Sequence, residues 1–359
     1  MKRYLFILMI FQSFISKSQT VNDGPYVFYD KEKVLIKRVV KDEVLVSEFP
    51  ANKKSTISVK VTFARTSPDW DFSVTLKPAL NNEPSNFVQP EKLFFISDVE
   101  GEFEGFRMLL IKNRVVDEKY NWTFGKGHLV LCGDFFDRGS LVPETLWLIY
   151  KLEQDAKKNG GYVHTILGNH DIMNLSGDFR YAVPKYASTA KAFGVDQLAL
   201  YDTSTELGRW LRTKNTIEKI GDNLCAHAGV ASEITQLKLP LETINGRCRP
   251  YYDKSKMMNG VNDPKSNVFF EAQTSLFWFR GYFGNPPSAI SDVDKTLSAY
   301  NVKRIVVGHT ITSKNINFYY DGKVLGLDVD QHGGQHQGVM NDGDKWYRVN
   351  DKGEKLQLN

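Results

Sequence analysis

The sequence contains Gly133-Asp134-Phe135-Phe136-Asp137-Arg138-Gly139 directly after the short apolar run Leu129 to Cys132. An apolar run of this length predicts a buried strand, and the two glycines permit a tight turn at its end. In that turn, Asp134 can bridge two metal ions and Arg138 can hold a phosphate oxygen. The stretch therefore predicts a strand that ends in a ligand-binding turn, as expected of an α/β fold.

Four further polar clusters follow short apolar runs in the same way. They are Ser97-Asp98-Val99-Glu100-Gly101, Gly168-Asn169-His170-Asp171, His227-Ala228-Gly229 and Gly308-His309-Thr310. Two carboxylates at positions i and i+2, as in the first cluster, can reach one cation if the turn curls. Because strand ends meet at one edge of an α/β sheet, we expect a single site there.

The chain from Lys92 onward alternates predicted strands with predicted helices, which indicates an α/β domain. Val142 to Lys158 and Phe103 to Lys112 have helical spacing, and Phe269 to Tyr282 is also interpreted as a helix. We therefore assign residues 91–359 to a catalytic domain.

The N-terminal part has a different pattern. Residues 1–18 carry Lys2 and Arg3 at the start, continue with a mostly apolar run and end in small residues, as a signal peptide does. An uncleaved anchor or a buried strand is the alternative interpretation. Residues 19–90 contain short β-prone runs and a polar, proline-containing stretch at 81–90, which predicts a small all-β extension and a linker. Export to the periplasm or beyond is the expectation that follows.

The composition excludes some classes of function. Of the 359 residues, 42% are apolar, and the formal net charge is only +4. Three basic residues of the predicted signal segment account for most of that charge, so nucleic-acid binding is not expected. No stretch after that segment predicts a transmembrane helix. The three cysteines are too few for a disulfide framework; Cys132 and Cys225 are interpreted as buried strand residues, and Cys248 as a residue of a polar loop.

The order of these motifs resembles that of the calcineurin-like metallophosphoesterases. Within them it is similar to the phosphoprotein-phosphatase branch, and residues 168–181 resemble most the Shewanella-like bacterial phosphatases. The resemblance covers about residues 92 to 330. It implies a four-layer α/β/β/α sandwich, with two mixed sheets face to face and helices outside.

The resemblance also implies roles for individual residues. Asp98 and Glu100 would bind a first divalent metal, Asp134 would bridge both metals, and Asn169, His227 and His309 would hold the second. His170, oriented by Asp137, would be the general acid or an electrostatic partner, and Arg138 and Arg280 would bind phosphate. The implied cofactors are two divalent ions, with manganese favoured and magnesium, iron, zinc or calcium as alternatives. The implied reaction is hydrolysis of a phosphomonoester by a metal-bridging hydroxide.

Several positions carry a competing interpretation. The family usually has histidine where Glu100 stands, so Glu100 either ligates a hard cation or points to solvent. Asp171 is expected to be a supporting group, and Arg280 is either a phosphate ligand or a surface arginine. His128 is interpreted as an exposed turn residue and His164 as a packed strand residue. For the polar run Asp328, Asp330, His332 and His336, the resemblance implies an acidic strand end close to the site, and the two histidines could tune the pocket or bind stray metal; an ordinary glycine-rich loop is the favoured interpretation. The loop with Arg180 and Tyr181 is interpreted as a border of the substrate pocket.

Three functions remain open on the sequence alone. The first is a phosphomonoesterase that acts on a phosphoprotein or a small phosphorylated metabolite. The second is a phosphodiesterase or dinucleoside polyphosphate hydrolase, which the same two-metal core supports. The third is a binding protein that has lost activity through Glu100; retention of Asp134, Asn169, His170, His227 and His309 argues against it.

Overall fold

Two six-stranded sheets form the centre of the protein in the computed structural model, which describes residues 20–63, 68–254 and 261–358. One sheet has the order β17-β16-β15-β7-β8-β9, with β7, β8 and β9 parallel. The other has the order β13-β14-β12-β11-β10-β6, with β11, β12 and β14 parallel. The predicted signal segment lies outside the described residues.

The strands fall mostly where apolar runs predicted them. Their bounds are β1 Asp23–Asp30, β2 Lys33–Val40, β3 Glu43–Pro50, β4 Ser58–Val61, β5 Phe72–Thr75, β6 Asn86–Phe87, β7 Lys92–Ile96, β8 His128–Cys132, β9 Tyr162–Ile166, β10 Ile217–Ile220, β11 Asn223–Ala226, β12 Arg304–Val307, β13 Asn317–Tyr319, β14 Val324–Gly326, β15 Gln337–Asp342, β16 Lys345–Asn350 and β17 Lys355–Leu358.

The helices alternate with these strands. Their bounds are α1 Phe103–Lys112, α2 Val142–Lys158, α3 Asn169–Leu175, α4 Pro184–Phe193, α5 Glu206–Leu211, α6 Ser232–Gln236, α7 Leu241–Cys248, α8 Pro264–Asn267 and α9 Ile290–Tyr300. The helices at Phe103–Lys112 and Val142–Lys158 are confirmed. No helix in the described ranges is both long and apolar enough to cross a bilayer.

Alternate residues of β7 belong to two different cores, as the two-residue period of a strand requires. Leu93 and Phe95 pack in one cluster with Val306 and Leu325 of the other sheet. Phe94 and Ile96 instead share a second cluster with residues of the helices. Burial of each such side chain contributes about 1.5–3 kcal/mol. The predicted sandwich of two face-to-face mixed sheets with helices outside is confirmed.

The N-terminal strands form the antiparallel sheet β1-β2-β3 and the hairpin β4-β5. The all-β character predicted for this part is therefore confirmed. Trp147 of α2 donates its indole N–H to the carbonyl of Pro25 at 2.8 Å, which fixes the small sheet against the larger fold. The stretch 81–90 contributes β6, which pairs in parallel with β10 as an edge strand.

Two local predictions were wrong. Phe269 to Tyr282 is not one helix; after α8 the chain forms successive turns. Ser275 Oγ accepts the backbone N–H of Phe277 at 2.9 Å, and such side-chain bonds compete with helical ones. Cys248 ends α7 and is fully buried instead of lying in a polar loop. Cys132 and Cys225 are buried strand residues, as predicted.

Candidate functional site

The five strand-end side chains predicted to bind metal come together at one edge of the sandwich. They follow β7, β8, β9, β11 and β12 respectively, and each is at most 6% exposed: Asp98, Asp134, Asn169, His227 and His309. Four of them line a cavity of about 320 Å³, and His227 lies beneath it. The carboxyl ends of the strands therefore carry a single polar centre.

The backbone at this centre is unusual. Asp98, Asp134 and His309 have φ of 54°, 57° and 67°, in the left-handed region that side chains other than glycine rarely adopt. Each follows a serine or glycine at the strand end. A Cβ on Gly308 would lie 2.3 Å from Asp98 Oδ2, so only glycine allows this approach. Strained backbone of this kind concentrates at functional sites.

One half of the centre is rich in imidazole. His227 Nε2 lies 2.9 Å from Asn169 Oδ1 and 3.2 Å from Asp134 Oδ2, and its Nδ1 lies 2.7 Å from the carbonyl of Cys132. His309 Nε2 is buried without a hydrogen-bond partner among the described residues. The ligand atoms of Asp134, His227 and His309 all lie within 4.8 Å of one another.

The other half is rich in carboxylate. Asp98 accepts the backbone N–H of His309 at 3.1 Å and 3.2 Å. Glu100 is buried, and its carboxylate contacts Arg138 and His332. Burial raises the pKa of Asp98 to about 6, and burial together with Asp98 raises the pKa of Asp328 well above its usual range. Burial therefore disfavours the ionised forms of these two carboxyl groups.

The imidazoles respond to the same charges. Burial alone would lower the pKa of His227, but Asp134 and Asp98 outweigh it and raise the pKa to about 10. Burial and the neighbouring His227 hold the pKa of His309 well below its usual range. Neutral His309 therefore has a free lone pair. The proton on the neighbouring His227 balances the charge of the buried carboxylates.

His170 is held in one orientation at the edge of the cavity. Its Nδ1 lies 2.6 Å from Asp137 Oδ2, and Asn174 donates to the other oxygen of Asp137 at 2.8 Å. The backbone N–H of His170 also donates to Asp134 Oδ1 at 2.9 Å. Burial lowers the pKa of His170, but Asp134 and Asp137 outweigh it, so the pKa is raised.

Two arginines line the same cavity. Arg280 donates from Nη1 to the carbonyl of His309 at 2.9 Å and to Thr310 Oγ1 at 3.0 Å. Arg138 forms an ion pair with Glu100. Arg280 is thus fixed at the cavity by the loop that carries His309, although its side chain is exposed.

Asp171 supports the centre from behind. Its carboxylate accepts the backbone N–H groups of Gly168, Asp134 and Phe135 at 2.7 Å, 3.1 Å and 2.8 Å. Burial and Asp134 together raise its pKa to about 7. The side chain thereby ties the turn after β8 to the start of α3.

The donor set fits divalent cations. Carboxylate, amide and imidazole ligands suit manganese, magnesium, iron or zinc, and a cation would satisfy the unpartnered Nε2 of His309. A second group of converging ligand atoms comprises Glu100, Asp134 and His170. Because Asp134 belongs to both groups, the arrangement can hold two cations that share this carboxylate.

The sequence interpretation missed part of the site. Asp328 and His332, interpreted as members of an ordinary loop, line the cavity with Asp98 and Glu100. His336 faces Asp351 instead, at 2.9 Å. Asp328 follows a strand end, as the predicted ligands do. That position could have identified Asp328 as a residue of the site. Tyr181 borders the cavity, as expected of its loop.

Two further histidines, His128 and His164, form a pair away from the site. His164 is packed in β9, as predicted, and its Nδ1 lies 2.6 Å from Glu218 Oε2. His128 is not an exposed turn residue; it begins β8, is half-buried and lies 2.9 Å from His164. Burial and His164 lower its pKa to about 4. The exposed-turn interpretation failed because strand β8 begins one residue before the apolar run.

Known proteins share these features. The sequence profile of the calcineurin-like phosphoesterases matches residues 91–313. Shewanella-like protein phosphatase 2 of Arabidopsis thaliana is 26% identical over 310 residues, which cover 73% of this chain and 77% of that protein. Shewanella-like protein phosphatase 1 of Plasmodium berghei is 27% identical over 239 residues, 64% of each chain.

A solved structure agrees over almost the whole chain. The cold-active protein-tyrosine phosphatase of a psychrophile Shewanella species superposes with a TM-score of 0.84 at 30% identity, and the match covers 95% of this chain and all of that one. The resemblance inferred from the motifs is confirmed. The chain belongs to the calcineurin-like phosphoesterase family and is a phosphatase.

Proposed function

We propose that this phosphatase hydrolyses phosphomonoesters with the help of two divalent cations, manganese being favoured. The observation that carries the proposal is the placement of Arg138, Arg280 and His170 around one small cavity lined with carboxylates and imidazoles. A guanidinium fork matches the oxygens of a phosphoryl group. A monoester presents three such oxygens, so two arginines and two cations suit it.

The proposed ligands divide into two sets. Asp98, Glu100 and Asp134 would hold the first cation, and Asp134, Asn169, His227 and His309 the second. When bound, the cations supply charge stabilisation of the phosphoryl oxygens and a water-derived nucleophile at neutral pH. The chain itself contributes His170 and Arg280, which are already held in place by Asp137 and by the loop of His309 before charge develops.

His170 is the proposed general acid. Asp137 holds Nδ1, so Nε2 is the nitrogen left to donate its proton to the ester oxygen as the bond from that oxygen to phosphorus breaks. Asp134 and Asp137 raise the pKa of His170, which favours the protonated imidazole that a general acid needs. An alkyl leaving group needs this proton more than nitrophenol does.

We further propose that the leaving group is aromatic, as in phosphotyrosine. Tyr181 and Trp278 line the cavity, and the ring of Tyr181 lies 5.3 Å from that of His170. Aromatic rings at such distances pack against one another. The Shewanella protein with the same fold is described as a protein-tyrosine phosphatase, which supports this substrate class.

The test is hydrolysis of p-nitrophenyl phosphate, bis(p-nitrophenyl) phosphate and peptides with phosphotyrosine or phosphoserine. The protein is stripped of metal and then given Mn²⁺, Mg²⁺, Ca²⁺ or Zn²⁺ in turn. We expect metal-dependent turnover of the monoester, lost in Asp134→Asn and kept in the matched control Asp222→Asn, whose side chain is exposed. Preference for the diester, or turnover that Asp134→Asn retains, would contradict the proposal.

A further inference from the structure

His332 covers the carboxylate of Glu100 at the mouth of the cavity. Its Nδ1 lies 2.9 Å from Glu100 Oε2 and 3.4 Å from Asp330 Oδ1. The carboxylate of Glu100 is 4% exposed, whereas the imidazole is 39% exposed. Because an ionised carboxylate only accepts hydrogen bonds, Nδ1 carries the proton in this contact.

The turn that carries His332 is fixed to the strand end that carries the carboxylates. Gln331 is buried, and its side-chain amide donates to the carbonyls of Ser97 and Gln337, each at 3.1 Å. The backbone N–H of Gly333 donates to Asp330 Oδ1 at 3.1 Å. A Cβ on Gly333 would lie 2.1 Å from the Asp330 carboxylate, so a larger residue there would displace that carboxylate. The position of His332 over Glu100 is therefore built into the fold.

Glu100 differs from the other two carboxylates of its cluster in what holds it. Backbone N–H groups hold Asp98 and Asp134, from His309 and His170 respectively. The described contacts of the Glu100 carboxylate are two basic side chains, Arg138 and His332. Glutamate also has one more rotatable bond than aspartate, so ordering it costs more conformational entropy.

Arg138 cannot bind the Glu100 carboxylate and a phosphoryl group equally well at the same time. Its guanidinium lines the cavity in which a substrate phosphate would lie, so a bound phosphate competes with Glu100 for it. His332 contacts the other carboxylate oxygen, and that contact does not face this competition.

We propose that His332 is a positioning residue for the first cation. Its Nδ1–H holds Oε2 of Glu100, so that Glu100 stays directed at the cluster of Asp98 and Asp134 while Arg138 turns to substrate. The inference rests on the two-cation site of the proposed function. The supporting residue, His332, comes from a loop that is distant in sequence from the metal ligand Glu100. Such supporting residues typically contribute 10–100-fold in metal affinity.

The experiment is a titration of the metal-free protein with Mn²⁺, with free Mn²⁺ measured by electron paramagnetic resonance. We expect His332→Ala to weaken one of two binding sites by about tenfold and to leave the other unchanged. His336→Ala is the matched control, because His336 belongs to the same loop but pairs with Asp351. It is expected to bind as the unaltered protein does, and thermal unfolding verifies that both variants fold.

Two further variants test whether His332 acts through Glu100. Asparagine places an N–H close to the position of Nδ1, so His332→Asn is expected to restore most of the affinity. In a Glu100→Gln background, His332→Ala is expected to add less than a twofold loss. Wild-type affinity in His332→Ala, failure of the asparagine variant, or a full loss in the Glu100→Gln background would each overturn the proposal.

This titration separates the inference from the proposed function. A selective loss of one Mn²⁺ site in His332→Ala supports the inference even if no ester is turned over. Turnover of monoesters with unchanged Mn²⁺ binding in His332→Ala overturns the inference alone. No Mn²⁺ binding by the unaltered protein would overturn both.

Discussion

Two of the buried charge clusters among the described residues differ in how completely their members are paired. One is the cavity with Asp98, Asp134 and His309. The other surrounds Glu153 of α2, at a distance from the strand ends that carry the site. Both bury carboxylates almost completely, so burial alone does not distinguish them.

In the cluster around Glu153, both carboxylate oxygens have hydrogen-bond partners within the cluster. The two oxygens of Glu153 accept from Lys214 at 2.7 Å, from Thr165 at 2.8 Å and from the indole of Trp210 at 2.8 Å, and Lys77 contacts them as well. Lys214 also reaches Glu83 at 3.1 Å, and Glu83 precedes β6. This network joins the N-terminal segment to the catalytic fold.

The cavity leaves some of its groups without full compensation. His309 Nε2 is without a partner among the described residues, and the pKa values of Asp98 and Asp328 are raised by burial. In the network, by contrast, burial raises the pKa of Glu153 but Lys214 and Lys77 outweigh it, and the pKa is lowered. A buried cluster whose charges are not fully compensated is arranged to receive a ligand, whereas a cluster whose charges are compensated stabilises the fold.

The largest effect on stability is expected from Glu153→Gln. The change leaves Lys214 and Lys77 buried without their carboxylate, and breaking a buried pair typically costs about 3–5 kcal/mol. The free energy of unfolding in urea measures it. Glu104→Gln on the exposed side of α1 is the matched control and should unfold as the unaltered protein does. A loss equal to the control's would contradict the role assigned to the network.

Asp98→Asn should give the opposite pattern. We expect kcat/KM for p-nitrophenyl phosphate to fall by about 10²–10³-fold, on the scale of removing one preorganised charge-stabilising group. The metal-free protein should be no less stable, because burial already disfavours the ionised form of Asp98 and raises its pKa to about 6. Steady-state kinetics and urea unfolding on the same preparation test both parts. A stability loss as large as that of Glu153→Gln would remove the distinction between the clusters.

The sequence predicted the cavity better than the network. Apolar runs marked the strands, and the polar residues after β7, β8, β11 and β12 could be assigned to one edge because parallel strands converge there. The two helices of regular apolar period were predicted to the residue. Local pattern and topology together were enough for these features.

The remaining features depend on contacts between distant parts of the chain. His332 reaches Glu100 through a turn whose glycines and acids look like any surface loop. Glu153 and Lys214 meet across α2 and the segment after α5, and no periodicity relates them. Phe269 to Tyr282 has the apolar content of a helix because the segment is buried. Hydroxyl side chains, however, form hydrogen bonds with the backbone in and next to it: Ser275 with the N–H of Phe277, and Thr274 with the carbonyl of Val268.

A smaller effect is expected in the pH dependence of stability, through the ionisation of Glu153. The pKa of Glu153 is lowered from 4.5 in the folded protein, so its contribution is complete above pH 4.5 and declines as the pH falls toward the folded value. The difference in unfolding free energy between the unaltered protein and Glu153→Gln should therefore be constant from pH 7 to about 5 and shrink at lower pH. A difference that grows on acidification would show that Glu153 is not stabilised as a carboxylate.

The smallest effect is expected from Thr165→Val, which keeps the shape of the side chain and removes one donor to Glu153 Oε1. Hydrogen bonds to charged groups contribute about 1.5–3 kcal/mol, and we expect the low end because Lys214 still donates to the same oxygen. Catalysis should not change, since Thr165 lies in β9 at a distance from the cavity lining. Urea unfolding and p-nitrophenyl phosphate turnover provide the two readings. A loss of turnover in Thr165→Val without a loss of stability would mean that the network is coupled to the active site, and the division between a fold-stabilising cluster and a ligand-receiving cluster would no longer hold.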